Sequence, residues 1–215
     1  MSLSQEEAGK AATFVRGRIP AHGLFAGMDW RISPRPFLLD AKQVAELEKL
    51  GRVLLQFYRA TNQLYRKSVE GAQPEWVAQH LDRGKPNEVL NWARSPAFKN
   101  DVPRVIRPDL LLTDEGLKVS ELDSVPGGIG LTGWLNKTYS ELRANGASFR
   151  EVVGGENGML EGFRSIFPKD QPVNIVVSKE SETYAPEMEW IAERLNETET
   201  RRFRLRDGNF RDFGA

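Results

Sequence analysis

The chain has 215 residues, with 30 Lys+Arg against 30 Asp+Glu and a formal net charge of zero. It has no cysteine and only two histidines, His22 and His80, which excludes disulfide scaffolds, thiolate metal sites and cysteine nucleophiles and disfavours a multi-histidine zinc centre. The length suffices for one or two domains, and the balanced charge lacks the bulk basic footprint of a nucleic-acid binder.

Met1–Lys10 is polar and is expected to fray. Its surroundings lack a basic-then-apolar leader, so the expected location is the cytoplasm. No apolar run reaches ~18 residues, so no membrane partner is expected. Gly27–Phe37 sets aromatics among prolines and reads as an ordered extended segment. From Asp40 to Val69 the positions Leu47, Leu50, Leu54, Phe57, Thr61 and Leu64 recur at steps of three and four. That spacing predicts a helix, with Asp40 as its N-cap. The stripe Phe57, Tyr58, Leu64 and Tyr65 reads as core packing. Shorter helices are expected at Glu75–Leu81 and Asn87–Arg94, parted by Arg83-Gly84-Lys85-Pro86.

The pattern changes at Val102. Arg104–Leu112 and Leu117–Leu122 read as strands joined by a turn at Thr113–Gly116. The glycine-rich stretch Ser124–Gly130 follows, then a helix near Thr132–Arg143 and a helical stretch over Ser148–Phe167 weakened at Gly154-Gly155. Val173–Val177 is a continuous apolar run suited to a buried parallel strand. With a helix at Tyr184–Leu195 and a strand at Arg201–Leu205 it forms a βαβ unit. The expected class is α+β. An N-terminal extended segment covers residues 1–38, a helical and sheet region 39–168, and a partial βαβ region 169–215.

The chemistry concentrates in Arg107, Asp109, Glu121 and Asp123. A three-residue loop, Asp114-Glu115-Gly116, with Gly116 left-handed, would set Thr113 opposite Leu117. Asp109 would then face Glu121, and Arg107 would face Asp123, all four on one side of the hairpin. A two-residue loop would put Asp109 and Glu121 on opposite faces. Directly opposed carboxylates destabilise a ladder unless a cation lies between them. Mg²⁺ suits such oxygen ligands, and an arginine beside them can grip a phosphate. The same four charges could instead be a solvated surface neutralised by Arg107.

In Gly127, Gly128 and Gly130 the backbone could approach a phosphate at a helix N-terminus, or the glycines could serve a tight turn. The spacing matches neither a Walker A loop nor a dinucleotide fingerprint. His22 and His80 read as surface or capping residues, and Glu180, Glu182, Glu187 and Glu189 mostly as a solvated helix face. Ser178 and Tyr184 fall at a strand's carboxyl end, where a substrate contact or a plain loop are both open. Arg201, Arg202, Arg204 and Arg206 could meet an acidic partner or protect an edge strand.

Arg107-x-Asp109, eleven residues, then Glu121-x-Asp123 resembles the magnesium- and phosphate-binding hairpin of circularly permuted ATP-grasp enzymes, the glutathionylspermidine synthase-like group. The resemblance is strongest over Val102–Asn136. It is weaker over Trp30, Pro34 and Pro36 with the helix after them, and over Val173–Leu205. It implies an ATP-grasp-like hairpin followed by an incomplete pre-ATP-grasp-like βαβ unit. It also implies that Asp109, Glu121 and Asp123 bind Mg²⁺ and that Arg107 contacts the transferred phosphoryl group of ATP. The implied activity is ligation of a small-molecule carboxylate to an amine through an acyl phosphate. Asp123 departs from the family's asparagine and adds a negative charge. Family members also hold ATP with lysines on a later lobe, which is not found before Ala215. The chain is therefore expected to be a partial enzyme, completed by a C-terminal part or a complementing subunit. Two other readings compete. One is an interaction or scaffolding domain with a vestigial site; the other is an acidic divalent-cation binder that needs no nucleotide.

Overall fold

The computed structural model describes residues 3–21, 24, 31–199 and 201–211. It is an α+β chain in two compact units: Met1–Leu38 together with Pro126–Ala215, and Leu39–Val125. The expected break at residue 38 coincides with a unit boundary, whereas the one expected near residue 168 falls inside the first unit. No helix among the described residues is long and apolar enough to cross a membrane.

The first unit opens with a helix where fraying was expected. Helix α1 spans Gln5–Arg16. Ser4 caps it by accepting from the Glu7 N–H, while the Glu7 carboxylate takes the Ser4 N–H at 2.8 Å. Two of the orphan donors of the helix start are thus satisfied reciprocally. Helix α1 buries Ala11 and Val15 against helix α5 (Ile129–Ala144), whose Trp134, Tyr139 and Leu142 complete that core. The segment Arg31–Leu38 has no regular structure and is held by the Tyr139 hydroxyl, which donates to the Ser33 carbonyl at 2.9 Å. The aromatic Trp30 and His22 lie outside the described residues.

The expected long helix over Ser148–Phe167 is only α6, Gly158–Ser165. Gly154 and Gly155 both take positive φ, 80° and 74°, which breaks a right-handed helix at that point. Strands β3 (Val173–Val177) and β4 (Phe203–Asp207) pair in parallel, with a 3₁₀ turn at Lys179–Tyr184 and helix α7 (Ala185–Asn196) between them. This is the expected βαβ unit. Helix α7 buries Met188, Ile191, Ala192 and Leu195, and Phe163, Phe167 and Phe203 stack edge to face beside them.

The second unit is built differently. Helix α2 (Ala41–Val69) starts where the periodicity put it, with Asp40 accepting from the Gln43 N–H at 2.8 Å. Helices α3 (Glu75–Asp82) and α4 (Asn87–Arg94) also match expectation. The apolar stripe of α2 does not form the expected core. Leu54 is buried, but Phe57 is 52% exposed and Leu64 40%. Polar bonds hold the helices instead. Buried Ser68 donates to the Pro74 carbonyl at 2.6 Å and accepts from the Ala78 N–H at 3.0 Å, tying the end of α2 to α3. The Tyr65 hydroxyl donates to Asp82 at 2.8 Å, and Arg94 of α4 pairs with the same carboxylate.

Candidate functional site

Strands β1 (Arg107–Thr113) and β2 (Gly116–Asp123) form the antiparallel hairpin of the second unit. The loop register differs from the expected one. Thr113 pairs with Gly116, not with Leu117, leaving the two-residue loop Asp114-Glu115. Neither loop residue has positive φ, while Gly116 sits at φ 106°, a conformation that favours glycine. Such a loop alone would separate the acidic residues. The ladder then slips between Asp109 and Leu110: Leu110 pairs with Val119, Asp109 with Glu121, and Arg107 with Asp123. Ser120 is the extra residue, a β-bulge, and its hydroxyl donates to the Asp109 carbonyl at 3.1 Å. The bulge thus restores the expected pairing by a route the loop argument did not contain.

The four side chains fall into two kinds of environment. Arg107 Nη1 lies 3.1 Å from Asp123 Oδ2 and also donates to the Val125 carbonyl at 3.1 Å. The other oxygen of Asp123 accepts from the Val125 N–H at 2.8 Å. That backbone bond, assisted by the Ser124 N–H and the Arg107 charge, outweighs desolvation and holds the Asp123 carboxyl below its ordinary value. Asp109 and Glu121 are exposed, and neither carboxylate makes an ion pair or hydrogen bond among the described residues. Among those residues no group of three or more His, Cys, Asp or Glu side chains is arranged to hold a metal ion. The structure therefore brings Arg107 to Asp123 and sets Asp109 opposite Glu121, without gathering all three acids round one point.

A donor set of two unpartnered carboxylates still fits Mg²⁺, which commonly takes one or two protein carboxylates and fills its remaining positions with phosphate oxygens and water. It does not fit a cage of protein ligands alone.

The glycine loop belongs to the first unit, where packing accounts for two of its three singled-out glycines. A Cβ on Gly130 would lie 2.8 Å from the Glu187 carbonyl oxygen and 3.0 Å from its Cα. A Cβ on Gly127 would lie 2.5 Å from the Tyr184 ring. Gly128 caps α5 at φ 79°, with nothing within 4 Å of its added Cβ. Glu187, expected on a solvated face, instead accepts from the Leu131 N–H at 3.1 Å and so places a carboxylate on the first turn of α5. That position is where a phosphate would otherwise take the orphan donors. Sequence reading missed Glu187 because its partner is 56 residues away. His80 is exposed at the end of α3, as expected of a surface residue.

No family model matches the chain, and no curated protein or solved structure is significantly similar to it.

Proposed function

We propose that the β1–β2 hairpin is the Mg²⁺–ATP-binding element of an ATP-dependent carboxylate–amine ligase of circularly permuted ATP-grasp type. The observation that carries the reading is the Ser120 bulge, which sets Asp109 against Glu121 although the loop register would part them. Like charges set opposite each other cost stability in a ladder, and a cation between them would relieve that cost, which supports the reading. A bound Mg²⁺ would supply charge neutralisation for the phosphoryl oxygens. Asp109 and Glu121 would hold it, with water and phosphate oxygens filling its remaining positions. Arg107 and Asp123 act as an exchangeable pair. Their ion pair is about one-third exposed on each side and so is worth only ~0–1 kcal/mol. A phosphate could draw Arg107 away from Asp123, whose Oδ2 would then be available to a cation while its other oxygen keeps the Val125 N–H. In the ligase reaction the carboxylate substrate attacks the γ-phosphorus, the acyl phosphate forms as ADP leaves, and the amine then displaces phosphate. Arg107 stabilises the charge spread over the phosphoryl oxygens.

A non-catalytic role for a vestigial hairpin is the second reading. It is favoured by the Arg107–Asp123 ion pair and by the exposure of both other acids. Calorimetric titration separates the two. The ligase reading expects ATP binding to gain a component when Mg²⁺ is added, and that Mg²⁺-dependent component to be lost in Asp109→Ala plus Glu121→Ala. Equal binding by that variant and the wild type sinks it, and Mg²⁺ affinity that is indifferent to ATP points to a cation site without nucleotide.

A further inference from the structure

The helical second unit holds a second charged site, away from the hairpin's four residues in sequence. A cleft of about 520 Å³ opens along one face of α2 and the segment that follows α4. Arg59, Arg66, Lys67 and Lys99 line it, with Glu70 as its one carboxylate among the described residues. Four cations against one anion leave an excess of three positive charges. None of the four makes an ion pair among the described residues, although the unit has acids available elsewhere. Arg59 and Arg66, like Lys67 and Glu70, recur at helical spacing on α2, so the helix itself gathers them on one face.

The far wall is fixed. Arg66 donates through Nη2 to the Ala93 carbonyl at 2.9 Å and through Nη1 to the Arg94 carbonyl at 3.3 Å. The Asn62 amide donates to the Lys99 carbonyl at 2.9 Å. These bonds hold the 93–99 segment beside α2 and keep the cleft open. The Nε of Arg66 is buried and has no hydrogen-bond partner. Arg66 is therefore committed to the wall, and the charges left for a ligand are those of Arg59, Lys67 and Lys99.

We propose that this cleft is a binding site for an extended polyphosphate-class anion, separate from the hairpin and needing no metal. Arg59 and Lys67 are eight residues apart on one helix, a rise of ~12 Å. That is longer than one phosphate group and suits a chain of phosphates better than a compact tricarboxylate. The guanidinium fork of Arg59 matches phosphate oxygens, and Lys67 and Lys99 add mobile point charges. The cleft volume lies within the ~300–1,000 Å³ of small-molecule sites.

The test is calorimetry with sodium tripolyphosphate in buffer containing EDTA, so that metal binding at the hairpin contributes nothing. Wild type should bind saturably at one site. The variant Arg59→Gln plus Lys67→Gln alters exposed, unpaired side chains, so its fold is kept, and affinity should fall about tenfold or more. Lys99→Gln should weaken binding from the opposite wall. Lys49→Gln plus Arg52→Gln, the same charge change elsewhere on α2, should leave it unchanged, as should Asp109→Ala plus Glu121→Ala. The proposal is overturned by wild type that shows no saturation, by unchanged affinity in the Arg59/Lys67 variant, by an equal loss in the Lys49/Arg52 control, or by citrate binding as tightly as tripolyphosphate.

Discussion

Asp123 shows how a single carboxylate can be kept ionised without being buried. Its backbone bond to Val125 matters more to its acidity than the arginine beside it. The Arg107→Gln variant makes that ordering measurable. In an NMR titration of the carboxyl carbon, Asp123 should still titrate below the ordinary aspartate value, with only a small rise from wild type. A return to the ordinary value would mean that the arginine, not the backbone, sets it. Losing Arg107 should therefore leave Asp123 ionised at neutral pH. The four residue types and their spacing were legible in the sequence. What was not legible was that two of them already satisfy each other, because an ion pair depends on rotamers that spacing does not encode.

At the scale of elements, close approach decides more than composition. Helix α5 lies so near α7 that Gly130 has no room for a Cβ against the Glu187 backbone. Gly130→Ala should therefore destabilise the protein by about 1–3 kcal/mol in urea unfolding, although alanine is the better helix former. Gly127→Ala should cost less, because the obstructing Tyr184 ring is a side chain that can swing outward. The helices of the second unit make a different prediction. Desolvation of Asp82 opposes its ionisation, but the hydrogen bonds from Tyr65 and Arg94, with the Arg94 and Lys85 charges, prevail and lower its pKa. A carboxyl depressed on folding stabilises above its ordinary pKa and loses that contribution as pH falls through the folded value. Asp82→Asn should thus cost about 1–2 kcal/mol at neutral pH and flatten the acid side of the stability curve below pH ~4. A mutant curve parallel to wild type down to the acid limit would contradict it. The start of α2 was legible because Asp40 and the apolar steps agree. Helix α1 was missed although Ser4-x-x-Glu7, a capping-box spacing, was there to be read. Ser120 was invisible for a different reason: a bulge is a property of two strands together, and one sequence run does not announce it.

Across the whole molecule the two units are stabilised by different means. The first carries most of the buried apolar residues, from Val15 and Trp134 to Ile191 and Leu195. The second buries Leu54, Val77 and Ala78 with Ser68, relies on polar bonds between helices, and leaves Trp76 and Trp92 about two-thirds exposed. Periodicity in α2 announced an apolar face correctly but could not say what covers it, so the core expected there did not form. The hairpin shares this open character, with Leu111 and Leu112 exposed on β1 and Val119 on β2. A lone two-stranded hairpin gains little stability from itself, so the placement of Asp109 against Glu121 rests on the ladder and the Ser120 bond.

The claim that this hairpin binds a divalent cation with ATP is tested most directly by paramagnetic broadening, with Mn²⁺ in place of Mg²⁺. In ¹⁵N-labelled protein with ATP present, substoichiometric Mn²⁺ should first broaden the amide signals of Asp109, Glu121 and Asp123, and the broadening should vanish in Asp109→Ala plus Glu121→Ala. Broadening centred on any other element, or unchanged by that variant, would contradict the account.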